Sequence, residues 1–246
     1  MEQILDAFHD TYADATFVAA DPAPATPPRF DIYAIIHKGL RAAMADALLA
    51  AGRLDARDAR EVTDVVARVD ALLGFCQLHL EKENRFVHPA MEARRPGSTA
   101  GTVAEHVGHE ATIARLRRRV DALARAPAAT RAGAAHDLYL ELSLFVGESF
   151  VHMHEEETAN NAVLWACYSD AEIVAIELEI RAQLTPPQMQ YGIRWMLPAM
   201  TPAQRAGMLS QLRAAAPEPV FAGVLAAARA HVDADGWRKL EAALAG

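Results

Sequence analysis

Apolar residues recur at alternating steps of three and four through four long stretches of the chain. This spacing places them on one face of an α-helix, so the pattern predicts four amphipathic helices. We expect these helices at about residues 31–52, 55–87, 102–126 and 130–165. Gly52, Pro89 followed by residues 95–98, and Pro127 supply breaks between them, because glycine often caps helix ends and proline interrupts helices. The pattern therefore predicts an all-α fold built on an up-down four-helix bundle.

Shorter helices are predicted on both sides of the bundle. We expect residues 1–30 to form an N-terminal helix and a Pro-rich linker, and residues 31–168 to form the bundle. Residues 169–246 are predicted to be a C-terminal helical extension that packs on the bundle. Ser169 and Glu172 have the spacing of a capping box, which would open the first helix of the extension.

Composition and charge narrow the classes of function. The chain has 246 residues, 52% of them hydrophobic, and a formal net charge of −8. The negative charge argues against nucleic acid as a partner, and no apolar run approaches the roughly 18 residues that span a membrane. Only Cys76 and Cys167 are cysteines, which favours a reducing, cytoplasmic location. A protein partner or a second copy of the chain is expected, if anywhere, at the C-terminal helices.

Each apolar stripe of the bundle changes to polar side chains at one end. These side chains are His37, then His79 and Glu83, then His106 and His109, then His152 and Glu156. Residues at i and i+4 lie about 40° apart around a helix, and those at i and i+3 about 60° apart, so each pair can share one face. Buried polar and charged groups are costly unless they are paired or bind a metal. Their convergence in the core therefore predicts a metal site.

The remaining histidines lie off the apolar stripes. They are expected to face solvent, and they are His9, His88, His136, His154 and His231.

The types of side chain indicate which metal the site would hold. Imidazole and carboxylate ligands favour iron, manganese or zinc over calcium and magnesium. Seven ligands exceed the four of a structural zinc site, and they suit two transition ions better than one. The set is also richer in imidazole than the carboxylate-rich di-iron sites of ferritin-like bundles.

The segments that carry these residues resemble the hemerythrin-like, or HHE cation-binding, family. The similarity lies in YAIIHKGLR, HLEKENRF, EHVGHE and HMHEEET, and it extends over residues 31–165. The resemblance implies two non-haem iron ions, bridged by carboxylates and by an oxo group, inside the four-helix bundle. By the same resemblance, Glu83 and Glu156 would bridge the ions, and the five histidines would be their terminal ligands.

Two features depart from the oxygen-carrying hemerythrins. Their third helix carries histidines four residues apart, whereas His106 and His109 are three apart and Glu110 takes the position four after His106. This leaves open whether His106, His109 or Glu110 completes the ligation by this helix. The fourth helix has Glu156 four residues after His152, which resembles the broader bacterial group with roles in gas sensing, iron handling and stress responses.

The resemblance implies a protein that binds or senses a small diatomic ligand, either oxygen or nitric oxide. One alternative is a di-iron enzyme of the peroxidase or stress-repair type, and another is an iron-handling or signalling module. An enzyme would need an open channel with an acid–base residue beside the ions, and Glu110 is the only surplus carboxylate that the pattern offers for this. A binding role is therefore expected rather than a catalytic one.

Overall fold

The computed structural model describes residues 29–215 and 217–245, and this part of the chain is α-helical with no β-strand. The prediction of an all-α fold with additional C-terminal helices is confirmed. The predicted N-terminal helix and Pro-rich linker, at residues 1–28, lie outside the described residues.

The first helices of the structure are the four long helices of the bundle and two short helices that follow the second and fourth of them. They are α1 (Ala34–Gly52), α2 (Ala59–Lys82), α3 (His88–Arg94), α4 (Ala100–Arg125), α5 (Ala128–Glu155) and α6 (Asn161–Cys167). The four long helices contact one another in the cyclic order α1, α2, α4, α5. Each therefore lies beside its neighbours in the chain, as in an up-down bundle.

The apolar half of the bundle is filled by the predicted stripes. Val69, Leu72, Leu116, Leu142 and Phe145 are among its fully buried side chains. Burying such side chains stabilises the fold by about 1.5–3 kcal/mol each. This half of the core holds the four helix faces in register, and so it positions the polar side chains at the other end.

Helix starts agree with the sequence where a capping side chain is present. The Asp58 carboxylate caps α2 by accepting hydrogen bonds from two backbone amides. Asp31, three residues before α1, accepts hydrogen bonds from the amides of Tyr33 and Ala34, and the helix begins at Ala34. Both arrangements satisfy amides that the first turn of a helix leaves without partners.

The prediction that the second helix stops at about residue 87, before Pro89, is wrong, whereas the predicted break at residues 95–98 is present. A π-helical turn, Glu83–Val87, joins α2 directly to α3, and Pro89 lies in the first turn of α3. Proline has no amide hydrogen to donate and its ring crowds the carbonyl one turn earlier. The wider π turn accommodates both effects, so the helical path continues to Arg94.

The C-terminal helices follow α6 after a short break. They are α7 (Asp170–Ala182), α8 (Pro186–Ala199), α9 (Pro202–Ala215), α10 (Glu218–His231) and α11 (Ala234–Ala245). Ser169 and Glu172 form the predicted capping box. α8 packs along α1, where a Cβ added to Gly39 would lie 2.8 Å from Cγ of Met196. The division of the chain into units at residue 168 stays a prediction.

None of the helices described in the structure combines the length and the apolar character needed to cross a membrane.

Candidate metal centre

Six of the seven predicted side chains meet at the polar end of the bundle in two overlapping groups. The groups are His37, His79, Glu83 and Glu156, and Glu83, His106, His152 and Glu156. Within each group, one nitrogen or oxygen atom per residue lies within 4.8 Å of every other. The two groups share both carboxylates, and each takes its two histidines from a separate pair of helices.

The oxygens of the shared carboxylates divide between the two groups. Oε1 of Glu83 lies 3.2 Å from Nε2 of His79, whereas its Oε2 lies 3.5 Å from Nε2 of His106. Oε2 of Glu156 lies 3.4 Å from Nε2 of His37, and its Oε1 lies 3.3 Å from Nε2 of His152. Each carboxylate therefore presents one oxygen to each group. This is the arrangement of a carboxylate that bridges two ions.

Both carboxylates are deeply buried, and their oxygens accept no hydrogen bonds. Glu83 is 3% exposed and Glu156 is 0% exposed, and none of the four oxygens has a hydrogen-bond donor among the described residues. An ionised carboxylate in this environment is strongly destabilising unless a cation compensates it. The donor set and these four unpartnered oxygens fit a pair of cations.

A π-helical turn begins at each of the two carboxylates. The amide of His88 donates to the carbonyl of Glu83, and the amide of Asn161 donates to the carbonyl of Glu156, five residues earlier in each case. Single π turns inside α-helices widen the helix by one residue and are frequent at functional sites. Here they change which residues follow the carboxylates on the inner face.

Three of the four central histidines are oriented by a polar side chain on the neighbouring helix. Nδ1 of His106 lies 2.8 Å from Oδ1 of Asn84, and Nδ1 of His152 lies 2.6 Å from Oε2 of Glu105. Such contacts hold the ring with Nε2 directed inward and are typical of metal-binding histidines.

The third of these contacts belongs to a small ionic network. Nδ1 of His37 lies 3.1 Å from Oε1 of Glu157, and the Arg41 guanidinium donates to both oxygens of that carboxylate at 2.5 and 2.9 Å. The guanidinium and the imidazole hold the pKa of Glu157 at about 2, against the effect of its partial burial. The carboxylate is therefore ionised and fixed in place against the ring.

These three partners are not among the predicted site residues. Asn84, Glu105 and Glu157 each stand next in the chain to a residue of the centre. Adjacent residues on a helix point about 100° apart, so each side chain leaves its own helix's inner face and reaches the next helix around the bundle. Their position next to a predicted ligand could have identified them as candidates, but which neighbouring helix each side chain contacts depends on the tertiary structure.

The two carboxylates hold protons on part of the imidazole set when no cation is bound. Burial lowers the pKa of His37, but the neighbouring Glu156, Glu157 and Glu83 outweigh it and raise the pKa to about 10. In the same way, Glu156 overcomes burial and raises the pKa of His152 to about 9. Burial and the charge of Glu156 raise the pKa of Glu83 to about 7. The positive charge of the imidazolium groups therefore compensates the carboxylates when no metal ion does so.

A family model described as the hemerythrin HHE cation binding domain matches residues 31–161, just over half of the chain. The chain belongs to this family. The matched residues span the four bundle helices and both groups of potential ligands. No curated protein and no solved structure was found to match the chain.

His109 stands apart from both groups in this HHE domain. Its ring centre lies 4.7 Å from that of His152 and 5.9 Å from that of Phe145, and burial lowers its pKa to about 4. Glu110 is exposed on the outer side of α4. Of the three candidates on this helix, the structure brings only His106 to the shared carboxylates.

His88 was predicted to face solvent, and that prediction is wrong. It is 4% exposed, and its ring centre lies 4.8 Å from that of His106. In a regular α-helix, His88 would point about 140° away from Glu83. The extra residue of the π turn rotates it onto the face of Glu83, one turn farther along. His136, His154 and His231 are exposed as predicted, and His9 lies outside the described residues.

Proposed function

We propose that this HHE domain holds two iron ions and uses them to bind a small diatomic ligand, oxygen or nitric oxide. His37 and His79 would hold one ion, His106 and His152 would hold the other, and Glu83 with Glu156 would bridge them. The observation that carries the proposal is the division of the four carboxylate oxygens between the two pairs of histidines. A single ion would not need two separate groups that share both carboxylates.

The donor set supports iron and leaves room for an exogenous ligand. Each ion would receive two imidazole nitrogens and two carboxylate oxygens, a mixture that suits iron. With about six positions in an octahedral shell, roughly two on each ion are not filled by protein atoms. If a shared bridging group takes one position on each ion, two positions remain on the pair, one more than a set with five histidines would leave. When bound, the iron would supply a redox-active Lewis acid that takes a diatomic molecule at such a position.

A small apolar cavity supports a neutral diatomic ligand. Its volume is about 20 Å³, and it borders His79 of one group and His152 of the other. The rest of its wall is mainly apolar, with Leu40, Met44 and Phe145 among the lining residues. A space of this size holds about one small molecule. Its apolar wall disfavours an ion because an ion would lose its hydration there.

The proposal is tested by metal content and by ligand titration. Protein supplied with iron should contain about two ions per chain, and Glu83→Ala and Glu156→Ala should lose the paired site while keeping their helicity. Glu179→Ala, at an exposed position on α7, is the matched control and should keep both ions. Nitric oxide added anaerobically to the reduced protein should change its visible spectrum and saturate at one or two molecules per centre. One zinc and no iron, or full iron content in both variants, would contradict the proposal.

A second candidate function is a di-iron enzyme of the peroxidase type. The observation in its favour is an open chamber beside His106, with the buried imidazole of His88 in its wall. Such an enzyme needs a path for substrate and an acid–base group close to the ions. Steady consumption of hydrogen peroxide by the iron-loaded protein, reduced strongly in His88→Gln, would favour the enzyme over the binding protein. Stoichiometric oxidation without turnover would exclude it.

A further inference from the structure

A chamber of about 370 Å³ lies between α3 and α4, outside the centre itself. His106 forms part of its wall and connects it with the second group of ligands. At its outer side Glu110 and Val107 are exposed, and Val107 is 64% exposed. The chamber therefore leads from solvent to a histidine of the centre.

The chamber contains a buried polar side chain with no partner. His88 is 4% exposed, and neither of its ring nitrogens makes a hydrogen bond to any described residue. Leaving a buried polar group without a hydrogen-bond partner is destabilising, and native structures seldom keep one without a function. His88 lines the chamber beside His106, and a rotation of its ring would turn an unpartnered nitrogen toward a cation that passes between the mouth and the centre.

The charge of the chamber wall indicates which kind of ligand passes through it. The lining contains the carboxylates of Glu92 and Glu110 and no Lys or Arg. Both oxygens of Glu92 are engaged by the amides of Gly97 and Thr99 and by the Thr99 hydroxyl, so Glu92 shapes the wall. Glu110 makes no ion pair within the part of the chain that the structure describes. A cleft lined by charge of one sign concentrates counter-ions, so this chamber attracts cations and disfavours anions.

We propose that the chamber is the route by which a divalent transition cation reaches the centre. Glu110 attracts the hydrated ion at the mouth, His88 binds it transiently, and His106 receives it. This inference rests on the proposed two-ion centre. A single side chain, first Glu110 and then His88, leaves most of the ion's positions to water, so the ion is held weakly at each step and moves on. The apolar cavity beside His79 is too small, at about 20 Å³, to admit a hydrated ion.

The rate of metal uptake tests this route. Apo protein is mixed anaerobically with Fe²⁺, the reaction is stopped with a strong chelator at increasing times, and iron retained per chain is measured. Glu110→Gln should take up iron about tenfold more slowly than the wild type, because it removes a negative charge that concentrates cations at the mouth. His88→Ala should slow uptake by a similar factor, because it removes the transient ligand. Both should reach the same final content of iron. His136→Ala and Glu179→Gln, at exposed positions away from the chamber, are matched controls and should match the wild-type rate.

A pair of charge substitutions at the mouth tests the route without disturbing a buried residue. Val107→Glu should accelerate uptake several-fold and Val107→Lys should slow it, and both effects should weaken as salt is added. Circular dichroism of each apo variant checks that the helices are intact.

The outcomes distinguish a failure of the proposed route from a failure of the proposed two-ion centre. Equal uptake rates in the wild type and in all four chamber variants would overturn the route while leaving the centre standing. A final content lower by one ion in His88→Ala would also overturn it, because His88 would then be a ligand of the centre. If the wild type retained no iron at long times, the two-ion centre would fail, and the proposed route would fail with it.

Discussion

Loading the centre with divalent cations should release protons, and the affinity for the cation should rise steeply with pH. Without metal, the carboxylates raise the pKa of His37 to about 10 and that of His152 to about 9. Both rings therefore carry a proton at about pH 7.5, and both must lose it to act as ligands. We expect about two protons released per chain at this pH.

The size of the pH effect follows from that count. Each released proton contributes about one factor of ten in apparent affinity per pH unit, so between about pH 7 and 9 two protons give about a 100-fold gain per unit. Below about pH 7 the gain should be steeper, because Glu83 then also holds a proton that the metal must displace. The sign is positive because the protons are bound only in the metal-free form. The gain should weaken as pH rises through 9 and vanish above about 10, where both rings are neutral before metal binds.

The assay is a titration with Fe²⁺ under anaerobic conditions. Proton release is read from an indicator dye in weakly buffered solution, and affinity is measured by competition with a chelator at several pH values below about 9. His109→Ala is the control, since the pKa of His109 is about 4 and its ring is already neutral. Release of no protons, or an affinity that does not change with pH, would refute the exchange of imidazolium for metal.

Three further predictions concern the ligands and the docking of the C-terminal helices. His109→Ala should keep about two ions per chain and His106→Ala should lose one; equal loss in elemental analysis would place His109 in the centre. Gly39→Ala should lower the free energy of unfolding by about 1–3 kcal/mol through overpacking against α8. In the control Gly74→Ala the added Cβ meets no atom within 4 Å, so the free energy of unfolding should stay unchanged or rise by up to about 1 kcal/mol. Urea titrations in which the two variants behave alike would count against the close approach of α8 to Gly39. Arg205 is buried and donates hydrogen bonds to four backbone carbonyls, those of Leu197, Pro198, Met200 and Gly236. Arg205→Met should therefore lower the free energy of unfolding by about 3 kcal/mol. An unchanged melting temperature would show that these contacts contribute little.

The fold was largely predictable because its main signal is local. The hydrogen bonds of an α-helix join residues four apart, so a repeat of three and four in the sequence is a repeat around the helix. Leu72, Leu116 and Leu142 are buried at the positions that this repeat predicts. The same repeat placed His79 with Glu83, and His152 with Glu156, on inner faces.

The departures from the prediction arise where the helix itself changes period. The π turn that begins at Glu83 contains one extra residue, and this rotates His88 from the solvent-facing position expected in a regular helix to a buried one. Pro89 indicates a disturbance of the helix there, but a proline at this position is equally typical of a helix end. The second π turn, after Glu156, has no comparable signal in the sequence.

By itself, the sequence determined which helices form, which face of each is buried and that imidazoles and carboxylates line one end of the core. Those features depend on side-chain type and helical period, which are properties of each segment alone. Only the tertiary structure decided that His106 reaches the shared carboxylates while His109 does not, and that Asn84, Glu105 and Glu157 each orient a histidine of the neighbouring helix. These outcomes depend on how far each helix is rotated about its axis against its neighbours, and that rotation is set by packing between segments distant in the chain.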